Sequence, residues 1–148
     1  MRLRRGLLLA FYFLTIGAYA QDQWLFVGTY TGTGSKGIYV YRFHPATNSF
    51  DSVSSIFCEN PSYLAVSDDG NYLYAVTENG VDKPGAVSAF SFDQKNGQLH
   101  LLNEEPSGGD HPCYVSVTKK RDWVAVANYS SGSLSLLKVN ADGSLSPK

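Results

Sequence analysis

The sequence is short of cysteine, of arginine and of any helical pattern. Its two cysteines, Cys58 and Cys113, are too few for a disulfide scaffold. Both stand beside apolar strand starts, which suits two buried free thiols; a single bridge is the alternative. No His/Cys/Asp spacing has the pattern of a zinc site. Beyond Arg2, Arg4 and Arg5 at the extreme N-terminus, the only arginines are Arg42 and Arg121. With 12 Lys+Arg against 13 Asp+Glu in the whole chain, there is no basic footprint for nucleic acid or an anionic membrane. No segment after Ala20 sustains a helical period. The apolar run from Leu7 to Ile16 is too short to span a bilayer comfortably.

That run has another use. Arg2, Arg4 and Arg5 precede it, and Ala18-Tyr19-Ala20 follows it as a small-x-small site. The pattern reads as a signal peptide over 1–20, with the mature chain starting at Gln21 and exported to the periplasm or beyond. An uncleaved anchor is the alternative. After cleavage no stable membrane insertion is expected. No cysteine follows the apolar core, so lipid attachment there is not expected. What the chain does have is 10 Tyr, 8 Phe and 14 Gly, a mix that suits short strands and tight turns.

The chain repeats itself. "NPSYLAVSDDGNYLYAVTEN" from Asn60 is echoed by "HPCYVSVTKKRDWVAVANYS" from His111. Pro61 matches Pro112, and Tyr72 matches Trp123, a period of about 50 residues. Each unit reads as four strands with short turns. In the second unit the strands fall near Tyr63–Ser67, Tyr72–Thr77, Ala86–Phe92 and Gln98–Asn103. Asp68-Asp69-Gly70-Asn71 and Lys95-Asn96-Gly97 are hairpin signals, and Asp142-Gly143 serves the third unit. The first unit starts directly at Trp24–Thr29, continues at Ile38–Phe43 and ends near Phe50–Ile56. Strands such as "IYVYRF" are apolar on both faces, so each sheet is expected between neighbours.

Four-stranded antiparallel units at this period predict an all-β fold, a β-propeller. A flat sandwich would not explain the repetition. The expected units are 24–56 (a partial blade), 61–106 (a blade) and 112–148 (an incomplete blade), within one propeller portion over 21–148. Two and a half to three blades cannot close a ring that typically needs four to eight. The chain is therefore expected to be the N-terminal part of a longer propeller, with the far C-terminus completing the first blade. Alone, it would expose strand edges and a bare blade face.

In such a meander, the short Asp/Gly/Asn turns share one end of the sheet. The other end collects the longer loops 29–36, 77–85 and 129–132 and the links 57–61 and 105–112. Function tends to sit on longer loops held by a rigid scaffold. The candidates on that face are Tyr30, Lys36, Asn60, Glu78, Asn79, Lys83, Asp110, His111, Asn128 and Tyr129. Tyr30, Glu78 and Tyr129 hold equivalent places at the ends of second strands, where side chains can reach a central opening. Alternatively, the tyrosines cap the core and Glu78 is a solvated carboxylate. Glu78 and His111 are the candidate acid/base groups, although a lone loop histidine is more often simply exposed. Lys36 and Lys83 are the only cations on this face and could meet an anion; solvated lysines are the alternative. His44 and His100 have no assigned role. "GTYTGTGSKG" joins strands rather than opening a helix, which excludes a P-loop phosphate cradle.

These motifs bring a family into view. "VGTYTGTGSKGIYVYRF", "NPSYLAVSDDGNYLYAVTEN", "GGDHPCYVSV" and "VAVANYSSGSLSLLKVNADGSL" resemble, in order and over nearly the whole mature chain, the bacterial 6-phosphogluconolactonase (lactonase, or cycloisomerase-2) family of seven-bladed β-propellers. The resemblance implies cofactor-independent hydrolysis of a small-molecule sugar lactone, 6-phosphogluconolactone to 6-phosphogluconate, by a monomer with no metal. Related propellers open or close muconolactone rings. A non-catalytic propeller binding carbohydrate or protein at the same face is the other class of reading.

Two departures stand out. In the family a His commonly follows the Pro-Cys pair, and here Tyr114 stands there. The residues that the family is proposed to use for catalysis fall in later blades, beyond Lys148, so no principal catalytic residue is assigned. The resemblance leaves Tyr30, Asn60, Glu78, Asn128, Tyr129, Lys36 and Lys83 as expected substrate-side residues. Neither Arg42 nor Arg121 maps to the long-loop face, so this portion offers no phosphate clamp. The export signal also sits awkwardly with a pentose-phosphate enzyme, whose substrate is cytoplasmic. Family members without such a signal are cytoplasmic.

Overall fold

The computed structural model describes residues 21–32 and 34–147; the expected signal peptide lies outside the described residues. Ten strands follow one another: β1 Gln23–Gly28, β2 Gly37–His44, β3 Ser49–Phe57, β4 Leu64–Val66, β5 Tyr72–Thr77, β6 Ala86–Asp93, β7 Gln98–Pro106, β8 Pro112–Val117, β9 Trp123–Asn128 and β10 Ser133–Lys138. They form three antiparallel meanders, β1-β2-β3, β4-β5-β6-β7 and β8-β9-β10. A bridge from Val139 to Leu145 around the Asp142-Gly143 turn extends the third. The turns form where Gly supplies a positive φ, at Gly70, Gly97 and Gly143, as hairpin geometry requires. Among the described residues no helix is long and apolar enough to cross a membrane.

The repeat extends to its irregularities. A register shift falls between Val40 and Tyr41 in the β2–β3 pairing, and another between Ala89 and Phe90 in the β6–β7 pairing. These are equivalent positions, and a bulge there bends and twists both sheets alike.

Packing explains the doubly apolar strands. On β5, Leu73 and Ala75 join Ile38, Val40, Phe90 and Phe92 in a core between the first and second sheets. Tyr74 and Val76, facing the opposite way, join Val115, Val124, Val126 and Leu137 between the second and third. Alternation along a strand sends successive side chains to opposite faces, so the middle sheet is apolar on both. Each fully buried Val or Leu contributes about 1.5–3 kcal/mol. The buried Tyr74 hydroxyl donates to the Gly143 carbonyl at 3.1 Å, so its polar end is satisfied. Each flanking sheet has one uncovered apolar face, with Leu25 and Phe50 exposed on the first and Leu134 and Leu136 on the third.

The sheets radiate. β4 touches both β1 and β8 at one edge, while β3 meets β7 at the other. The leading strands therefore converge on a common axis, as in propeller blades.

Candidate functional site

At the long-loop end, the two links between sheets are built alike. Asn60 precedes Pro61 and His111 precedes Pro112, and both adopt left-handed backbone, φ 45° and 51°. Asn and His are among the non-glycine residues found most often there. The carbonyl of each holds the first residue beyond the second strand. Asn60 O accepts the Glu78 N–H at 3.1 Å, and His111 O accepts the Tyr129 N–H at 2.9 Å. The equivalence of Glu78 and Tyr129 thus has a hydrogen-bonded basis. Gly28 lets the link pass closely: a Cβ there would lie 2.0 Å from Pro61 O.

Asn60 also joins two loops through its side chain. Its Oδ1 accepts from the Thr31 N–H and hydroxyl, both at 3.0 Å, and its Nδ2 donates to Asn79 Oδ1 at 3.0 Å. Asn79 O accepts the His111 N–H at 2.8 Å. Asn79 is buried and its Nδ2 has no partner; the buried His111 Nδ1 has none either. The His111 ring lies against Gly80, where a Cβ would come within 2.3 Å of it.

The first and second sheets meet at Tyr30 and Glu78. The Tyr30 hydroxyl donates to Glu78 Oε2 at 2.8 Å. This bond to a carboxylate, aided by partial burial, raises the Tyr30 pKa above its ordinary 10.0. Ser62 and Cys113 are the equivalent residues just past each link proline. Next to them the rings of Tyr63 and Tyr114 pack at 4.7 Å between centroids, tilted by 53°, and both rings remain partly open to solvent.

Several expected residues serve other ends. Asn128 is buried, and its amide donates to Ser107 O at 3.4 Å and Ser133 Oγ at 3.1 Å. Asn60 is similarly committed to its neighbouring loops. Lys83 pairs with Glu59 and holds its carboxyl below the usual range. Lys36 is exposed; its N–H donates to Tyr39 Oη at 3.1 Å and its carbonyl accepts from Cys58 N–H at 3.0 Å. Neither lysine is bonded to Tyr30 or Glu78. Asp110 holds the 129–132 loop, its N–H donating to Ser131 Oγ at 3.0 Å and its carbonyl accepting from Ser130 N–H at 3.2 Å. Tyr129 is 79% exposed.

Both arginines among the described residues sit at the opposite end. Arg42 stacks on Trp24 at 4.4 Å, and Arg121 stacks on Tyr72 at 4.1 Å while donating to the carbonyls of Asn140 and Ala141.

One expectation needs correcting. Two buried thiols were expected, but only Cys58 is buried, and Cys113 is exposed. The register of β8 against β9 shifts between Pro112 and Tyr114, and Cys113 is the residue left unpaired. Burial raises the Cys58 thiol to about 11. Both are free. Sequence reasoning also missed Thr31, Ser62, Tyr63 and Tyr114. The signal for the last three was their place one or two residues after each link proline, at the entry to the first strand of its sheet.

Radiating antiparallel sheets whose leading strands converge on one axis are the blades of a β-propeller. The chain belongs to the lactonase family of seven-bladed propellers: residues 24–148 match the family described as "Lactonase, 7-bladed beta-propeller". It is similar to the 6-phosphogluconolactonase of Bacillus subtilis, 35% identical over 121 residues, covering 81% of this chain and 34% of that protein. The 6-phosphogluconolactonase of Formosa agariphila is 32% identical, with 82% of this chain and 35% of that protein covered. Among solved structures, the periplasmic gluconolactonase of Pseudomonas aeruginosa superposes with a TM-score of 0.79 at 38% identity, covering 86% of this chain and 37% of that one. A Bacteroides fragilis protein, provisionally described as a 6-phosphogluconolactonase, gives 0.80 at 42% identity, covering 85% of this chain and 35% of that one. The chain thus spans about a third of the length of the relatives it matches.

Proposed function

We propose that residues 21–148 are the first blades of an exported sugar-lactone hydrolase, with 24–56, 61–106 and 112–148 as successive blade units and a monomeric ring as the whole. The observation that carries this reading is the Tyr30–Glu78 pair. It sets a hydrogen-bonded carboxylate between the first two blades, in a chain of the lactonase family. The chemistry is attack of water on the lactone carbonyl. A base takes the water proton, positioned donors hold the oxyanion, and the ring C–O bond breaks as its oxygen gains a proton. The product is the open aldonate. No residue of this chain is assigned as the principal base; His111 is its candidate proton-handling group, and Glu78 lies on the substrate side.

The relatives named 6-phosphogluconolactonase support a sugar lactone as substrate, with 6-phosphogluconolactone the first to try. The basic-apolar-Ala-Tyr-Ala pattern of residues 1–20 supports export, and the periplasmic gluconolactonase of P. aeruginosa is a similar protein in that compartment.

The test is lactone hydrolysis by the purified full-length protein, followed in a pH-stat above the spontaneous rate; the 148-residue piece alone is expected to be inactive. Turnover of 6-phosphogluconolactone or glucono-δ-lactone is expected. Sugar binding with no turnover of either would replace the enzyme with a carbohydrate-binding propeller.

A further inference from the structure

Glu78 is an acceptor without a cation. Its backbone is pinned by Asn60 O and one carboxylate oxygen by Tyr30. Among the described residues no lysine, arginine or histidine forms an ion pair with it; Lys83 is spent on Glu59, and both arginines lie at the other end. It is half-buried and its bond to Tyr30 is exposed, so its remaining lone pairs, hydrated in the free protein, are open to hydroxyl donors of a ligand that displaces that water. Exposed phenol rings lie at the same end of the sheets: Tyr30, bonded to Glu78, is 59% exposed, and Tyr63 and Tyr114, packed on each other, are 42% and 45% exposed.

That combination selects a chemistry. A carboxylate accepts from hydroxyl groups with charge-assisted strength, and it repels an anion such as a phosphate monoester. Exposed aromatic rings offer an apolar surface with a polar edge, which suits the C–H faces of a sugar ring. A phosphate would need the opposite, a fork of arginine donors. Tyr30, donating to Glu78, still has a lone pair with which to accept one further hydroxyl.

We propose that Glu78, oriented by Tyr30, is a specificity-determining residue that reads the hydroxyls of a neutral sugar ring packed against Tyr63 and Tyr114, and that any phosphate on the substrate is held outside these blades. The proposal rests on the lactonase reading but gives Glu78 a binding role, not the role of base at the carbonyl.

The experiment compares two lactones and one inert polyol on the full-length protein. Glucono-δ-lactone carries the hydroxyls, δ-valerolactone has none, and 1,5-anhydroglucitol is a cyclic polyol that cannot be hydrolysed. Losing a charged hydrogen bond costs tenfold or more, so Glu78→Gln is expected to raise KM for glucono-δ-lactone by about tenfold, with kcat changed by less than about twofold. Valerolactone kinetics should not change, and Tyr30→Phe should act in the same direction but less strongly. A fall in kcat on both lactones, or no effect on either, overturns the proposal. If the protein turns over no lactone at all, the lactonase reading fails separately. The inference is then decided by anhydroglucitol binding, read by ligand-observed NMR. Binding lost in Glu78→Ala, in a variant with unchanged circular dichroism, upholds it; binding retained overturns it.

Discussion

The Tyr30 hydroxyl reaches from the loop after β1 to the carboxylate of Glu78 beyond β5, 2.8 Å between oxygens, and so ties the first blade to the second at the axis. A phenol that donates to a carboxylate loses that bond on ionising, and the Tyr30 pKa lies above its ordinary 10.0 for that reason first. The linkage has a definite sign. A folded-state pKa above the unfolded value stabilises the protein below the unfolded value, and the gain is lost as pH rises through the folded one. Glu78→Gln should therefore bring the Tyr30 titration down towards 10, measured by NMR of ring-labelled tyrosine. An unmoved titration would mean that the pair is absent in solution.

The link residue Asn60 makes a sharper structural prediction. Its side chain bridges Thr31 and Asn79 while its backbone sits at φ 45°. Alanine removes the bridge and keeps the left-handed cost of about 1–2 kcal/mol; glycine removes the bridge but relieves that cost. Losing bonds to partly buried partners costs roughly 1–3 kcal/mol. The expected order of melting temperatures is wild type, then Asn60→Gly, then Asn60→Ala. Alanine equal to or above glycine would show that the left-handed conformation is not maintained.

Much of this architecture is legible in the residues. Asp-Gly and Asn-Gly turns mark the hairpins because only certain residues tolerate positive φ there, and Gly70, Gly97 and Gly143 adopt it. Strands such as β5 declare a sheet buried on both faces, because their alternation is apolar in both phases. The places of Glu78 and Tyr129 follow from the repeat. The fates of Asn60 and Asn128 do not: the Asn60 amide bonds residues of two other loops, and the Asn128 amide nitrogen donates to Ser107 O and Ser133 Oγ while its Oδ1 has no partner, an outcome that the repeat pattern does not encode. Cys113 misled for a similar reason. Its place beside an apolar strand start predicts a buried thiol, but the shift between Pro112 and Tyr114 leaves it unpaired and exposed.

The two thiols should accordingly behave very differently. Cys113 is exposed, whereas Cys58 is buried with its thiol raised to about 11. Only thiolate attacks a disulfide reagent. Near pH 8, Ellman's reagent should label about one thiol per native chain quickly, and the second only on denaturation. Cys113→Ser should abolish the fast phase. A fast phase of two thiols would place Cys58 within reach of solvent and refute the packing of the first core.

The last prediction concerns His44, at the opposite end from the site. Its Nδ1 lies 2.9 Å from Asp22 and its Nε2 3.0 Å from Asp51, so one imidazole joins the segment before β1 to β3. These two carboxylates, Asp22 first, raise its pKa above 6.5. The stabilisation is therefore complete below 6.5, where the ring is protonated in both states, and it fades as pH rises through the folded-state pKa. His44→Gln should lower the melting temperature at about pH 5.5 and have little effect at about pH 8.5. Taking the difference between wild type and variant at each pH cancels the contribution of the other titrating groups, which both proteins share. Added salt should shrink the gap at the lower pH, because the pair is near the surface and such charges are screened. A gap that is the same at both pH values would mean that the ring is held by its neutral hydrogen bonds alone, and that the two carboxylates do not share its charge.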